Sequence, residues 1–193
     1  FELGVGRSGL PRSYIGYNIP YSESRERFFE SLEVIQKAWT TDQFSHNGQF
    51  YTYKDVCVVP KPYQEPHPPI RVSVNSPDTF AKIGELGFSI FVGVRGGTES
   101  LRERVLCYRS AYKKAGHKIG SNVSLRVPVY VADTEEKAFS EPRDSTMNFY
   151  NDLLLQLAGP RPDLSPEANR ERAVRANSIK NVKYSEVFQQ NVV

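Results

Sequence analysis

Cysteine, long apolar runs and a surplus of one charge are all scarce or absent in this chain. Its two cysteines, Cys57 and Cys107, occur among 193 residues with neither a disulfide framework nor a metal-ligand spacing. No apolar stretch approaches the length of a membrane-spanning helix. The formal net charge of +3 is too small and too dispersed to indicate nucleic-acid binding. We therefore expect no nucleic-acid partner, no membrane partner, no metal site and a reducing, cytoplasmic location.

The composition is that of a globular protein with one sizeable core. Hydrophobic residues make up 39% of the chain and charged residues 24%, which is typical of a folded domain. Residues 1–6 read as a strand from the first position, and apolar character resumes at residues 191–193. From this we expect both ends to lie inside a larger fold.

Strands and helices alternate along the sequence. Apolar alternation predicts strands at 1–6, 70–74, 89–94 and 123–131, although Pro128 removes one ladder hydrogen bond from the last. Helical stripes predict helices at 22–39, 77–86 and 98–115, with further helices after Asp133. Connections of this length join parallel strands, so the pattern predicts a parallel α/β fold. Periodicity alone leaves a doubly wound sheet and a (β/α) barrel both open.

One segment departs from this alternation. Asn47-Gly48, between extended runs at 44–46 and 49–53, is the commonest two-residue hairpin signal, and the proline-rich stretch 60–69 follows it. We interpret 40–69 as an inserted hairpin and Pro-rich link within a single domain spanning 1–193. Residues 159–193 read as a mobile loop and helical excursion.

The junction at Ser76-Pro77 has the chemistry of an anion site. An oxygen-bearing cap followed by proline begins a helix directly after the strand at 70–74. Such a helix start presents unpaired N–H groups and the positive end of the helix dipole. With Arg7 and Arg25 upstream, the pattern indicates a phosphate pocket. Serine-capped junctions are also common without a ligand, so a second pattern is needed.

That second pattern is a family resemblance. The segments that carry it are Phe1-Glu2-Leu3-Gly4-Val5-Gly6-Arg7-Ser8-Gly9, Ser24-Arg25 leading into residues 28–39, residues 44–53, Pro68-Pro69-Ile70 through Asn75-Ser76, and residues 81–87. Their order and separation resemble the bacterial luciferase-like flavin monooxygenases. The match covers nearly the whole chain and is weaker over about the last 50 residues.

The resemblance implies a TIM-type (β/α) barrel that is incomplete in this chain. Such a barrel has roughly 250 residues, and the family's N-terminal strands and last strand-helix unit are missing here. Carried over position by position, the flavin-phosphate contacts are Arg7, Arg25, Asn75, Ser76 and Thr79. Two guanidinium groups and two hydroxyls are donors that suit a dianionic phosphate.

The function implied by the resemblance is a flavin-dependent monooxygenase. It would use FMN, reduced by a separate flavin reductase, and dioxygen to oxidise a small, apolar organic substrate, and the family includes homo-oligomers. Two alternatives stay open. One is an oxidoreductase of the same superfamily that uses a deazaflavin, and the other is a noncatalytic flavin-binding protein.

Two positions depart from bacterial luciferase. Gly6 stands where luciferase has a reactive cysteine, so neither a thiol role nor light emission is expected. Luciferase's histidine base lies in a part of the barrel that would precede Phe1. We expect His46, His67 and His117 to be surface residues and assign no catalytic residue.

Overall fold

The structure is a computed structural model of the chain and describes residues 1–75, 77–93, 97–117, 123–154, 165–180 and 182–191. The chain divides into two compact units. One unit comprises Phe1–Arg7, Ser22–Phe91 and Tyr108–Val123, and the other comprises Ser8–Tyr21, Val92–Cys107 and Ser124–Val193. The prediction of a single domain is not tested by this division.

Strands and helices alternate as the sequence predicts. The strands are β1 (Leu3–Val5), β2 (Phe44–Asn47), β3 (Thr52–Val56), β4 (Ile70–Ser73), β5 (Ser89–Gly93) and β6 (Val123–Arg126). The helices are α1 (Pro11–Gly16), α2 (Ser24–Thr40), α3 (Pro77–Glu85), α4 (Gly97–Lys114), α5 (Glu135–Ser140), α6 (Arg143–Asn148), α7 (Pro166–Lys180) and α8 (Tyr184–Asn191). A 3-10 turn (Tyr21–Glu23) leads into α2, and a π-helical segment (Phe149–Leu154) follows α6.

Four strands form one sheet in the order β1-β4-β5-β6. β1 pairs with β4 in parallel, with Val5 opposite Val72, and β4 pairs with β5 in parallel, with Val72 opposite Ile90. Each of these parallel pairs is connected through a helix, which is the βα arrangement. The predicted parallel α/β fold is therefore confirmed.

The core of the first unit lies along β4, β5, α3 and α4. Val72, Ile90, Phe80 and Ile83 are at most 1% exposed. Tyr108 in α4 is fully buried and donates its hydroxyl to the Phe88 carbonyl at 2.9 Å. Burial raises the pKa of Tyr108 to about 12, so the phenol stays protonated and keeps this bond.

The structure differs from the sequence predictions of regular structure in two places: one strand is shorter than predicted, and one short helix is not predicted. β6 ends at Arg126 rather than at residue 131, because Pro128 has no N–H to donate to a ladder. Residues 7–21, where no strand or helix is predicted, contain α1, which begins with Pro11 at its first position, where a missing N–H costs nothing. The mobility predicted for 159–193 remains a prediction, and residues 159–164, 181 and 192–193 of that range lie outside the described residues.

β2 and β3 form the predicted antiparallel hairpin, but its two-residue turn is wrong. Asn47 pairs with Thr52, so four residues, 48–51, connect the strands. The carboxylate of Glu30, in the middle of α2, accepts hydrogen bonds from the Phe50 and Tyr51 amides at 3.0 and 2.8 Å. These amides bond to the helix instead of extending the ladder, which lengthens the turn.

The same carboxylate binds a buried histidine. His46 Nε2 lies 3.2 Å from Glu30 Oε1, and Lys37 Nζ lies 3.3 Å from His46 Nδ1. Desolvation tends to raise the pKa of Glu30, but the bonds from the Tyr51 amide, His46 and the Phe50 amide outweigh it and lower that pKa. The ionised carboxylate of Glu30 therefore attaches the hairpin to α2.

We expect Glu30→Gln to reduce the dependence of stability on acidic pH. A carboxylate whose folded pKa is lowered stabilises the fold above its unfolded pKa, and this stabilisation is lost as pH falls through the folded pKa. The free energy of unfolding should therefore fall less steeply in the variant between about pH 6 and about pH 3, as measured by urea denaturation. Glu99→Gln in α4, at a 72% exposed side chain, is the matched control and should retain the wild-type slope. Equal slopes in all three proteins would contradict the assignment.

No helix within the described ranges is long and apolar enough to cross a membrane.

Candidate flavin-phosphate site

The candidate site lies at the carboxyl ends of β1 and β4. Val5 pairs with Val72, and a Cβ added to Gly6 would lie 3.1 Å from the Cβ of Ser73, so the two strands stay in register to their last residues. Arg7 follows β1, and Asn75 follows β4, at the same edge of the sheet. In βα barrels this edge carries the functional loops.

The start of α2 meets Arg7 at this edge. Arg7 Nη1 donates a hydrogen bond to Ser24 Oγ at 3.1 Å, and Ser24 is the first residue of α2. Arg25 is the next residue and is half-buried. The backbone at position 25 is therefore held beside Arg7 although the two residues are separated by a loop and a turn.

The remaining predicted contacts lie where β4 passes into α3. Asn75 is exposed, and Thr79, in the first turn of α3, is half-buried. The predicted contact Ser76 lies outside the described residues. Arg7, Arg25, Asn75 and Thr79 thus belong to one compact unit, near the ends of two adjacent strands.

The donor set fits a phosphate group. Arg7 and Arg25 are permanently charged, and a guanidinium presents a planar fork of donors that matches phosphate oxygens. Glu23, which precedes α2, is paired with Arg27 at 2.8 Å, so its carboxylate is directed along the helix. The FMN phosphate is a dianion of the size and charge that such a set can bind.

Sequence reasoning missed Ser24 as a member of this site. The serine is 4% exposed and bonds directly to Arg7, but the sequence offers only its place beside Arg25 at a helix start. That place is normally read as local helix capping. Its contact with Arg7 becomes visible only when β1 and α2 are brought together.

His46 is buried, which corrects the prediction that it is a surface residue, whereas His67 and His117 are only half-buried. His46 is 6% exposed and bonds to Glu30. His67 is half-buried, with its Nδ1 2.8 Å from the Pro68 carbonyl oxygen. His117 is half-buried, with its Nε2 2.8 Å from the Glu85 carbonyl oxygen. Each ring bonds within the first unit, which gives all three a structural role.

A cavity of about 570 Å³ lies between α2, the hairpin and α3. Glu30, His46 and Lys37 line it together with apolar side chains such as Phe88, and these polar groups already bond to one another. None of the predicted phosphate contacts lines this cavity. Across the described ranges there is no group of three or more His, Cys, Asp or Glu side chains that could hold a metal ion.

Comparison with known families identifies the family of this chain. The family model described as luciferase-like monooxygenase matches residues 1–189. The chain therefore belongs to the luciferase-like monooxygenase family, and the resemblance noted in the sequence is confirmed.

Two curated relatives illustrate the match. The FMNH2-dependent dimethylsulfone monooxygenase of Pseudomonas putida is 34% identical over 125 residues, covering 62% of this chain and 33% of the relative. The sulfoquinovose monooxygenase of Agrobacterium fabrum is 30% identical over 157 residues, covering 80% of this chain and 40% of the relative. The match thus spans only about a third to two fifths of either relative's length.

Solved structures agree on the fold. The oxygenating constituent of 3,6-diketocamphane monooxygenase from Pseudomonas putida, in complex with FMN, superposes with a TM-score of 0.71 at 18% identity, covering 99% of this chain and 56% of that one. An F420-dependent secondary alcohol dehydrogenase superposes with a TM-score of 0.71 at 15% identity, covering 100% and 55%. These likenesses confirm the predicted luciferase-like TIM-barrel fold, of which this chain spans about half the length.

Proposed function

We propose that the protein carrying this chain is an FMN-dependent monooxygenase that oxidises a small organic substrate with dioxygen. The observation that supports this most is the placement of Arg7, bonded to the first residue of α2, and of Asn75 just after the ends of two adjacent parallel strands. A relative of the family is named as FMNH2-dependent. The donor set at this edge has the charge that the FMN phosphate requires.

In this proposal the chain's own residues bind and orient the cofactor. Arg7 and Arg25 contribute charge-assisted bonds to the phosphate, and Asn75, Ser76 and Thr79 contribute polar groups around it. Gly6 permits the close approach of the two strand ends, because an added Cβ would lie only 3.1 Å from the Cβ of Ser73. Reduced FMN, when bound, supplies the electrons that activate dioxygen, and a separate reductase supplies the reduced FMN.

A deazaflavin is the alternative cofactor that a specific observation favours. The F420-dependent dehydrogenase has the same fold and a similar TM-score. Its cofactor differs from FMN in the group beyond the phosphate: a longer phosphodiester tail bears one negative charge at the linkage, where the FMN phosphate is a dianion. Two arginines suit the dianion better than the singly charged linkage, which is why FMN is the proposal.

Turnover by the natural polypeptide that carries this sequence distinguishes these functions. We expect photoreduced FMN, dioxygen and a panel of aldehydes, ketones, sulfones and aromatic compounds to give an oxygenated product detected by mass spectrometry. Labelled dioxygen should leave one oxygen atom in that product, because a monooxygenase reduces the other atom to water. Boiled protein, with the same reduced flavin, controls for uncatalysed oxidation.

Three results would contradict the proposal. Flavin oxidation that gives only peroxide with every substrate would favour the noncatalytic flavin-binding protein. Anaerobic oxidation of an alcohol with F420, without turnover on FMN, would favour the deazaflavin-dependent enzyme. A product whose new oxygen comes from water would exclude monooxygenase chemistry.

A further inference from the structure

Arg7 is oriented by a buried neutral acceptor. Its guanidinium Nη1 donates to Ser24 Oγ at 3.1 Å, and Ser24 is 4% exposed whereas Arg7 is exposed. An exposed arginine loses rotamer entropy when a ligand immobilises it. A bond to a fixed, buried oxygen removes part of that loss before the ligand arrives.

The chemical nature of this acceptor matters. A carboxylate in the place of Ser24 would bond more strongly to the guanidinium. It would also place a negative charge beside the phosphate site, where it would repel the phosphate. A hydroxyl adds no charge. A serine can therefore orient Arg7 without adding a negative charge beside the site.

The position of Ser24 in the chain links two parts of the site. It is the first residue of α2 and directly precedes Arg25, while Arg7 follows β1. The bond between Arg7 and Ser24 therefore holds the segment after β1, which carries Arg7, close to the start of α2, which carries Arg25. Rigid support of this kind determines whether charged groups meet a ligand in a productive geometry.

We infer that Ser24 is a positioning residue that holds Arg7 in its phosphate-binding orientation and so gives the site its preference for a phosphorylated flavin over riboflavin. This inference rests on the proposed function. It concerns a residue that does not itself need to touch the cofactor. The effect of Ser24 on flavin binding should therefore require both the Arg7 side chain and the phosphate of the flavin.

The test compares FMN and riboflavin binding to the natural polypeptide and its Ser24→Ala variant. We expect the dissociation constant for FMN to rise by about three- to tenfold, since the lost bond contributes about 0.5–1.5 kcal/mol, and that for riboflavin to stay unchanged. Ser24→Cys, which keeps the volume but is a weak acceptor, should behave like Ser24→Ala. Ser24→Thr, which keeps the hydroxyl, should restore FMN binding.

Two controls separate positioning from a general structural effect. Ser31→Ala removes another α2 hydroxyl, which donates to the Arg27 carbonyl at 2.7 Å, and should leave the FMN to riboflavin ratio unchanged. In an Arg7→Ala background, Ser24→Ala should cause no further loss of FMN affinity, because the residue it orients is gone.

The outcomes that overturn the inference are distinct from those that overturn the function. Loss of FMN affinity by Ser24→Ala that adds fully to that of Arg7→Ala, or equal weakening of both ligands, would make Ser24 a purely structural residue. An unchanged FMN to riboflavin ratio in Ser24→Ala and Ser24→Cys would also overturn it. Equal binding of FMN and riboflavin by the unchanged protein would instead remove the phosphate site on which both proposals depend.

Discussion

Replacing Arg7 and Arg25 together with alanine should weaken FMN binding by about a thousandfold and leave riboflavin binding within about threefold of the unchanged protein. Each charge-assisted bond to phosphate contributes about 1.5–3 kcal/mol, and each 1.4 kcal/mol is about a tenfold change. Either single variant should therefore lose about ten- to a hundredfold. Riboflavin lacks the phosphate, so it has no charge for these guanidinium groups to bind.

The measurement is a pair of titrations, with each flavin's fluorescence followed as it binds to the natural polypeptide. Arg102→Ala combined with Arg170→Ala is the matched control, because it removes the same charge from exposed pairs with Glu99 and Glu167. That control should keep the preference for FMN. If the Arg7 and Arg25 variant weakens both flavins equally, the two arginines are structural. If the control loses the preference as well, long-range charge rather than local contact explains it.

Local periodicity was sufficient to predict the helices that position this site. The apolar stripe of Leu32 and its neighbours predicts a helix at 22–39, and α2 runs from Ser24 to Thr40 with Leu32 3% exposed. The helix predicted at 77–86 is α3. Gly87, which follows the predicted helix, adopts a φ of 77°, which is the left-handed conformation expected after a helix. These features depend on residues within one or two turns of each other, which is why the sequence alone predicts them.

Features that depend on distant residues were not predictable in the same way. The Asn47-Gly48 signal predicts a two-residue turn in an isolated hairpin. Here the Phe50 and Tyr51 amides donate to the Glu30 carboxylate, which lies 20 and 21 residues away in the sequence. The burial of His46 follows from the same contact. No local pattern around position 47 contains that information.

The candidate site could be predicted from the sequence only in part. The family resemblance singled out Arg7, Arg25, Asn75, Ser76 and Thr79, and the register of β1 and β4 brings the ends of those strands to one edge of the sheet. Their joint role in binding phosphate stays a prediction. The contribution of Ser24 could not be inferred, because it depends on a contact across 17 residues that helix capping rules do not address.

The close approach of α3 to α4 makes Gly84 a position where even the smallest substitution should be damaging. Gly84 is buried, and an added Cβ would lie 2.5 Å from the Tyr108 carbonyl oxygen and 3.1 Å from the Tyr112 amide nitrogen. Both atoms belong to the backbone of α4, so neither can rotate away as a side chain would. A methyl group at position 84 must therefore push the two helices apart.

Gly84→Ala should destabilise the fold by about 1 kcal/mol even though alanine is the better helix former. Its helix propensity favours the folded state by about 1 kcal/mol, whereas overpacking costs about 1–3 kcal/mol. Separation of α3 from α4 also loosens the packing of Phe80, Ile83 and Tyr108, which are at most 1% exposed, so the unfavourable contribution is the larger. For a chain of this size we expect the melting temperature to fall by about 2–4 °C.

Gly16→Ala is the matched control, because Gly16 ends α1 and has no heavy atom within 4 Å of an added Cβ apart from its own chain neighbours and helix backbone. Alanine there should be neutral or stabilising by up to about 1 kcal/mol, since it restricts the unfolded chain without a clash. Calorimetry of both variants tests this through the sign of the change in melting temperature relative to the unchanged protein. A melting temperature that rises in Gly84→Ala as well would mean that helix propensity outweighs the contact between α3 and α4. A fall confined to Gly84→Ala would show that the approach of these two helices, and with it the packing beneath β4 and β5, tolerates no side chain at this crossing.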